Sequence, residues 1–218
     1  MLTCRLDSTK GKPLTVLCLG AHSDDIEIGC GGTILELIED HEDIILNWIV
    51  FSSGKRRGRE PEESACAFLK GAKRKTVVVQ NFPDGFFPYN GRAIKNYFER
   101  LKRKIAPDVI FTHYRSDLHQ DHRVICELTW NTFRDHFILE YEIVKYDGDL
   151  GSPNMFVHLS EEICSRKTKL LIHNFKSQRS HHWFTEETFR SILRLRGIES
   201  NAREQYAEAF YGRKFVIG

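Results

Sequence analysis

His22, Asp24, Asp25 and Glu27 stand close together in GAHSDDIEIGCGGT, residues 20–33, directly behind the apolar run LTVLCLG. Folding gains nothing from crowding one imidazole and three carboxylates at that place, so the cluster should hold something. A second stretch, HYRSDLHQDHR (113–123), carries the pattern DxHxDH, whose two histidines and two aspartates have no packing rationale. A divalent metal accounts for both. Catalytic zinc takes three protein ligands drawn from His and Asp or Glu and keeps one position open for water. His22 and Asp25 with one histidine of the second stretch, His119 or His122, would make such a site. A structural zinc site favours paired cysteines, and none are paired here.

Each stretch has a plainer reading by itself. HSDD would serve as a helix N-cap with acids in the first turn, and an isolated His119 or His122 would sit on the surface or in the core. Gly29, Gly31 and Gly32 read as a tight backbone turn approaching a ligand at the start of the next helix.

The elements around the two stretches decide whether they can meet. Apolar β-rich runs alternate with helical patterns: LTVLCLG (14–20), a helix from about Gly31 to Glu39, IILNWIVF (44–51), a helix from about Pro61, TVVVQNF (76–82), a helix over 92–105, DVIFTH (108–113), and a helix from about Asp121 to Phe133. Short continuous apolar strands alternating with helices predict an α/β fold, Rossmann-like, with a mostly parallel sheet and helices on both faces. The second half predicts strands at EIVKY (142–146) and MFVHL (155–159), helices over about 161–175 and 185–196, and a last strand in FYGRKFVIG. No linker or repeat divides the chain. One domain over 1–218 is expected, with the metal motifs in about 12–135. Ligands in such folds gather beyond the carboxyl ends of the strands. Both stretches begin there, so residues about 90 apart can share one site.

Composition sets bounds. The net charge of +2 over 218 residues is too balanced for a nucleic-acid binder. Six scattered cysteines, with Cys18, Cys30 and Cys66 in runs that read as core, fit free thiols in a reducing compartment. The absence of a signal-peptide h-region and of any long apolar run predicts a cytoplasmic chain without a membrane span. A homo-oligomer is compatible with the sequence, which does not set the number of copies.

AHSDDIEIGCGGT resembles the AHPDD(A)EIGCGGT signature of the PIG-L/LmbE-like deacetylases, and HQDH resembles their HPDH motif. Arg59 and Glu63 at a helix start, NFPDG (81–85) and Ser177–Gln178 extend the likeness. The resemblance implies a zinc-dependent enzyme that removes the acetyl group from an N-acetylglucosamine-like sugar or conjugate; Fe2+ would also suit the ligands. It implies His22, Asp25 and His122 as metal ligands and Asp24 as general base. His119 becomes the cationic partner of the oxyanion, and Asp121 the carboxylate that orients and charges His119. Asp84 matches a position that contacts sugar hydroxyls. Arg56, Arg57, Arg59 and Arg115 lie in loops at the same edge, where an arginine would suit a phosphate or carboxylate on the substrate. His181 and His182 could line the pocket, and Glu27 is expected to satisfy backbone amides at the helix start. Ser23 and Gln120 replace the family's prolines, which predicts loops that are less stiff.

Three other readings fit parts of the pattern. A non-sugar amide keeps the same chemistry. A non-haem iron oxygenase shares the ligand pattern but normally sits on a β-barrel. A nucleotide-binding module lacks the GxGxxG spacing.

Overall fold

The protein is described by a computed structural model over residues 2–6, 11–54 and 57–216. All seven of its strands join one sheet in the order β3-β2-β1-β4-β5-β7-β6. Strands β1 (Leu14–Gly20), β2 (Ile44–Val50), β3 (Arg74–Val79), β4 (Val109–His113) and β5 (Phe137–Tyr141) run parallel. Strand β7 (Tyr206–Gly212) runs antiparallel to both β5 and β6 (Met155–Leu159). Every residue of β4 is buried, as its continuous apolar sequence requires in a sheet covered on both faces.

Helices α1 (Asp25–Asp40), α2 (Glu60–Phe68), α5 (Glu161–Asn174) and α6 (Glu186–Glu199) pack on one face, over a core that includes Trp48, Phe68 and Phe210. Helices α3 (Gly91–Lys104) and α4 (Gln120–Thr132) cover the other, over Phe51, Phe98 and Phe133. The fold is therefore the expected Rossmann-like α/β arrangement.

Several local expectations are corrected. Helix α1 starts at Asp25, inside the HSDD stretch and six residues before Gly31, so Asp24 occupies the N-cap position. The helix-start reading and the site reading of HSDD thus hold together. Gly29, Gly31 and Gly32 lie within α1 and form no ligand-facing turn. A Cβ at Gly29 would come 2.2 Å from the Tyr141 ring, one at Gly31 2.6 Å from Phe68, and one at Gly32 2.6 Å from Leu159. The glycines are notches that let other elements close on the helix. Gly29→Ala should therefore destabilise the protein by about 1–3 kcal/mol through overpacking, despite alanine's helix preference of about 1 kcal/mol. Urea unfolding of the variant reads the sign directly.

EIVKY is not a strand; the preceding FILEY is β5. The last strand takes only Phe210–Gly212 of the tail and extends back to Tyr206, and residues 217–218 lie outside the described range. All six cysteines are free, but Cys66 is exposed on α2, whereas Cys18 and Cys30 are buried as expected. No helix among the described residues is long and apolar enough to cross a membrane.

Candidate functional site

Strand order reverses direction between β1 and β4: β1 leads through α1 to β2 on one side, and β4 leads through α4 to β5 on the other. The loops that leave these two neighbours flank a crevice, where open α/β sheets place ligands. One carries His22–Asp25, the other Asp117–His122, and they interlock. The Ala21 N–H donates to His113 Nε2 at 2.9 Å, and the His22 N–H donates to Asp25 Oδ2 at 2.6 Å.

The two expected histidine ligands are oriented by carboxylates. His122 Nδ1 lies 2.9 Å from Asp117 Oδ2, so the Nδ1–H is donated there and the Nε2 lone pair faces the cluster. His22 Nε2 lies 3.1 Å from Asp84 Oδ1 and 3.3 Å from Asp121 Oδ2, which commits that nitrogen as donor and turns Nδ1 inward. The inward atoms, His22 Nδ1 and His122 Nε2, are 3.2 Å apart. His22 Nδ1 is 3.5 Å from Asp25 Oδ2, and His122 Nε2 is 3.5 Å from the other oxygen, Oδ1. Ligands at zinc bond lengths on a tetrahedron stand about 3.3–3.4 Å apart, so the two nitrogens and the Asp25 carboxylate are spaced compatibly with one metal ion. All three residues are buried.

Among the described residues, the sets whose ligand atoms all lie within 4.8 Å of one another are His22–His119–His122, Asp25–His113–His122 and His22–Asp84–Asp121, each of which shares residues with this one. The His113 Nε2 lone pair is already used by the Ala21 amide, and its Nδ1 is buried without a partner. His113 therefore supports the loop rather than offering a ligand.

Charge follows the same logic. Burial opposes a proton on His22, yet the carboxylates of Asp121, Asp25 and Asp84 outweigh it and hold the imidazole well above its ordinary value. Burial also works against the Asp25 carboxylate, but the neighbouring histidines hold it well below the usual range. His122 is pushed down to about 3 by burial and the adjacent His113, which keeps its nitrogen free of a proton. Carboxylates thus concentrate where a cation is required.

The Asp24 carboxylate has a partner of its own. Its Oδ1 accepts from Arg57 Nη1 at 2.5 Å, and the residue is buried at the head of α1. His119 caps α4: its Nδ1 accepts the Asp121 N–H at 3.3 Å, so the proton sits on Nε2. The His119 ring lies 4.9 Å from that of His22 and 4.5 Å from that of His122. Burial, reinforced by the charge on His22, lowers its pKa, whereas the carboxylates of Asp25, Asp121 and Asp117 work in the opposite direction, toward the expected cationic form.

Asp121 does not take the expected role toward His119. Its carboxylate accepts from the Gly85 N–H at 2.7 Å and the Phe87 N–H at 3.1 Å and faces His22. It latches the loop bearing Asp84 onto the site. Gln120 Nε2 donates to the Gly85 carbonyl in the same latch. Ser23 Oγ donates to the Ser53 carbonyl at 3.1 Å. Both residues that replace prolines therefore supply tethers between loops, which offsets the stiffness that proline would confer.

Of the arginines, Arg57 reaches the cluster through Asp24. Arg59 and Arg115 are exposed, and Arg56 lies outside the described residues. Arg115 enters the hydrogen-bond network through its backbone, donating to Glu140 Oε2 at 2.9 Å. His182 Nδ1 is 3.2 Å from the Tyr146 hydroxyl, and His181 stacks on Trp183, both on the exposed C-terminal loop. Glu27 is fully buried, and its carboxylate oxygens bond no backbone amide, contrary to expectation; burial raises its pKa well above the ordinary value. Asp117 carried no role in the sequence reading. Its place in DxHxDH was the visible signal, but only the contact with His122 reveals what it does.

A Rossmann-like sheet with a His–Asp cluster suited to a metal at its switch point defines a class of α/β proteins. Within that class the chain belongs to the PIG-L family, described as GlcNAc-PI de-N-acetylase, whose profile matches residues 17–133. Three solved structures share the fold. N,N'-diacetylchitobiose deacetylase from Pyrococcus horikoshii is 21% identical, with a TM-score of 0.67 over 91% of this chain and 83% of that one. The zinc-inhibited form of the teicoplanin deacetylase Orf2 is 12% identical, with a TM-score of 0.68 over 91% and 97%. GalB, the 4-carboxy-2-hydroxymuconate hydratase from Pseudomonas putida, is 15% identical, with a TM-score of 0.70 over 94% and 98%. The same fold carries two reaction types, so the reaction must be argued from the site.

Proposed function

We propose that the protein is a metal-dependent N-deacetylase of acetamido sugars or their conjugates, a single cytoplasmic domain holding zinc through His22, Asp25 and His122. The observation that carries this reading is the spacing of the two inward imidazole nitrogens from each other and from the Asp25 carboxylate, with a second carboxylate, Asp24, next to Asp25 in sequence and paired with Arg57. A divalent ion at that place supplies a Lewis acid that polarises an amide carbonyl and makes water acidic.

The chain's own groups handle the protons. Asp24 has Oδ1 bound to Arg57, which leaves Oδ2 to accept the proton of the attacking water. His119 offers its Nε2–H as a hydrogen bond to the developing oxyanion, and the proton that Asp24 takes from water passes on to the leaving amine. Asp121 holds His22 and the 85–87 backbone rather than moving a proton itself. Asp84, half exposed beside His22, keeps a carboxylate edge for sugar hydroxyls. The exposed Arg59 and Arg115, with Arg56 three residues before Arg59 in sequence, would favour an anionic substituent, as in a nucleotide- or phosphate-linked sugar.

The test is acetate release from N-acetylglucosamine, its phosphates and nucleotide-linked acetamido sugars, with and without chelator. Release that chelator abolishes and zinc restores is the expected result. A metal-replete protein that releases no acetate from any of them would sink the acetamido-sugar reading.

A further inference from the structure

We infer that Lys145 and Asp149, on the loop between β5 and β6, are positioning residues for the metal ligand His122 and act through Asp117. The inference rests on the metal reading of the site. Asp117 Oδ2, which accepts the His122 Nδ1–H, also lies 3.1 Å from Lys145 Nζ. Lys145 Nζ lies 2.5 Å from Asp149 Oδ2, and that oxygen accepts the Leu118 N–H at 2.7 Å. The other oxygen of Asp117 accepts the His119 N–H at 2.8 Å.

One ammonium thus joins the Asp117 and Asp149 carboxylates, with Asp147 Oδ2 more distant at 3.8 Å, and a backbone segment that leads into α4. The side chains of Asp117, Asp149 and Lys145 are 2%, 7% and 11% exposed, so the network is shielded from water and its members depend on one another. Without the ammonium, two carboxylates face each other at low dielectric, and Asp117 loses the partner that holds its oxygen on His122. The imidazole can then turn, and the Nε2 lone pair leaves the ligand position. Carboxylates behind metal-binding histidines typically set affinity by about 10–100-fold. Here that control extends one residue further, to a loop outside both metal motifs.

The loop has an independent anchor. Glu142 accepts from Arg196 Nε and Nη2 at 3.0 Å and from the Gly151 N–H at 3.0 Å. Removing the Lys145 ammonium therefore leaves the loop attached to α6.

Zinc affinity, measured by competition with a chromogenic chelator, would be compared for wild type, Lys145→Met and Asp149→Asn. Two further readings are the visible spectrum of the cobalt-substituted forms and the melting of the metal-free proteins. The expected result is zinc binding weaker by about 10–100-fold in Lys145→Met, a smaller loss in Asp149→Asn, and altered cobalt bands in both. Variants that melt earlier without metal but bind zinc as wild type would show a role in folding alone and overturn the inference. If Lys145→Met does not fold, unchanged zinc affinity in Asp149→Asn overturns it equally. A wild type that takes up neither ion would instead remove the metal reading, and this inference with it.

Discussion

Asp24→Asn is expected to lower kcat by about 10²–10⁴-fold, the range for losing a positioned general base, while the protein retains its full complement of metal. The substitution is nearly isosteric in a buried place, and the amide oxygen can still accept from Arg57. What disappears is the capacity to take a proton. KM should change little, because Asp24 is buried and held by Arg57, whereas the half-exposed Asp84 is the carboxylate open to the substrate. Steady-state kinetics together with metal analysis of the same preparation test this. A fall in kcat of less than tenfold would remove Asp24 from the base role and shift attention to His119. Metal loss in the variant would instead make Asp24 part of the ligand shell. Asp25→Asn is the contrast: it changes the carboxylate beside the two inward nitrogens and should fail in metal content first.

The largest effect on stability is expected far from these atoms. Lys167→Met should cost about 3–5 kcal/mol, because removing one partner of a buried ion pair leaves the other charge uncompensated. Lys167 on α5 and Glu208 on β7 are each 2% exposed and 2.6 Å apart. Lys167 Nζ also donates to the Ile28 carbonyl at 2.6 Å. Glu208 accepts from the Gly32 N–H at 2.7 Å and from the Thr33 N–H and hydroxyl at 2.6 Å each. The pair therefore binds the middle of α1, whose first turn bears Asp25, to the sheet and to α5. Equilibrium urea unfolding of the metal-free protein isolates this effect from metal binding. Replacing both charges, Lys167→Met with Glu208→Leu, should recover part of the loss, since no unpaired charge remains. A single variant within about 1 kcal/mol of wild type would show that the pair is worth no more than a surface salt bridge.

Those contacts also explain a misreading. Three glycines after a charged cluster suggest a turn, and nothing local argues otherwise. Their purpose becomes visible only when Tyr141, Phe68 and Leu159 arrive from distant parts of the chain and need the space a Cβ would fill. The β5 error has the same origin. FILEYEIVKY is strand-compatible throughout, and its local pattern gives no reason to stop at Tyr141. The choice is made by pairing with β4 and by partners for the buried Glu140, whose carboxylate takes Trp130 Nε1, the Arg115 amide and the Arg213 guanidinium. None of these is a neighbour in sequence.

The sequence by itself determined the alternation of strands and helices, because continuous apolar runs and helical periodicity are local properties that packing on both faces of a sheet then obeys. It also determined which residue types gather at the carboxyl edge, and through the motif resemblance it singled out His22, Asp25 and His122. Tertiary structure alone decided which way each imidazole turns and hence which nitrogen faces inward. For His22 that depends on Asp84 and Asp121, which reach the ring from loops about 60 and 100 residues away, and for His122 on Asp117 of its own loop, held in place by Lys145. A hydrogen bond constrains direction as well as distance, and direction is set only when both partners' backbones are in place.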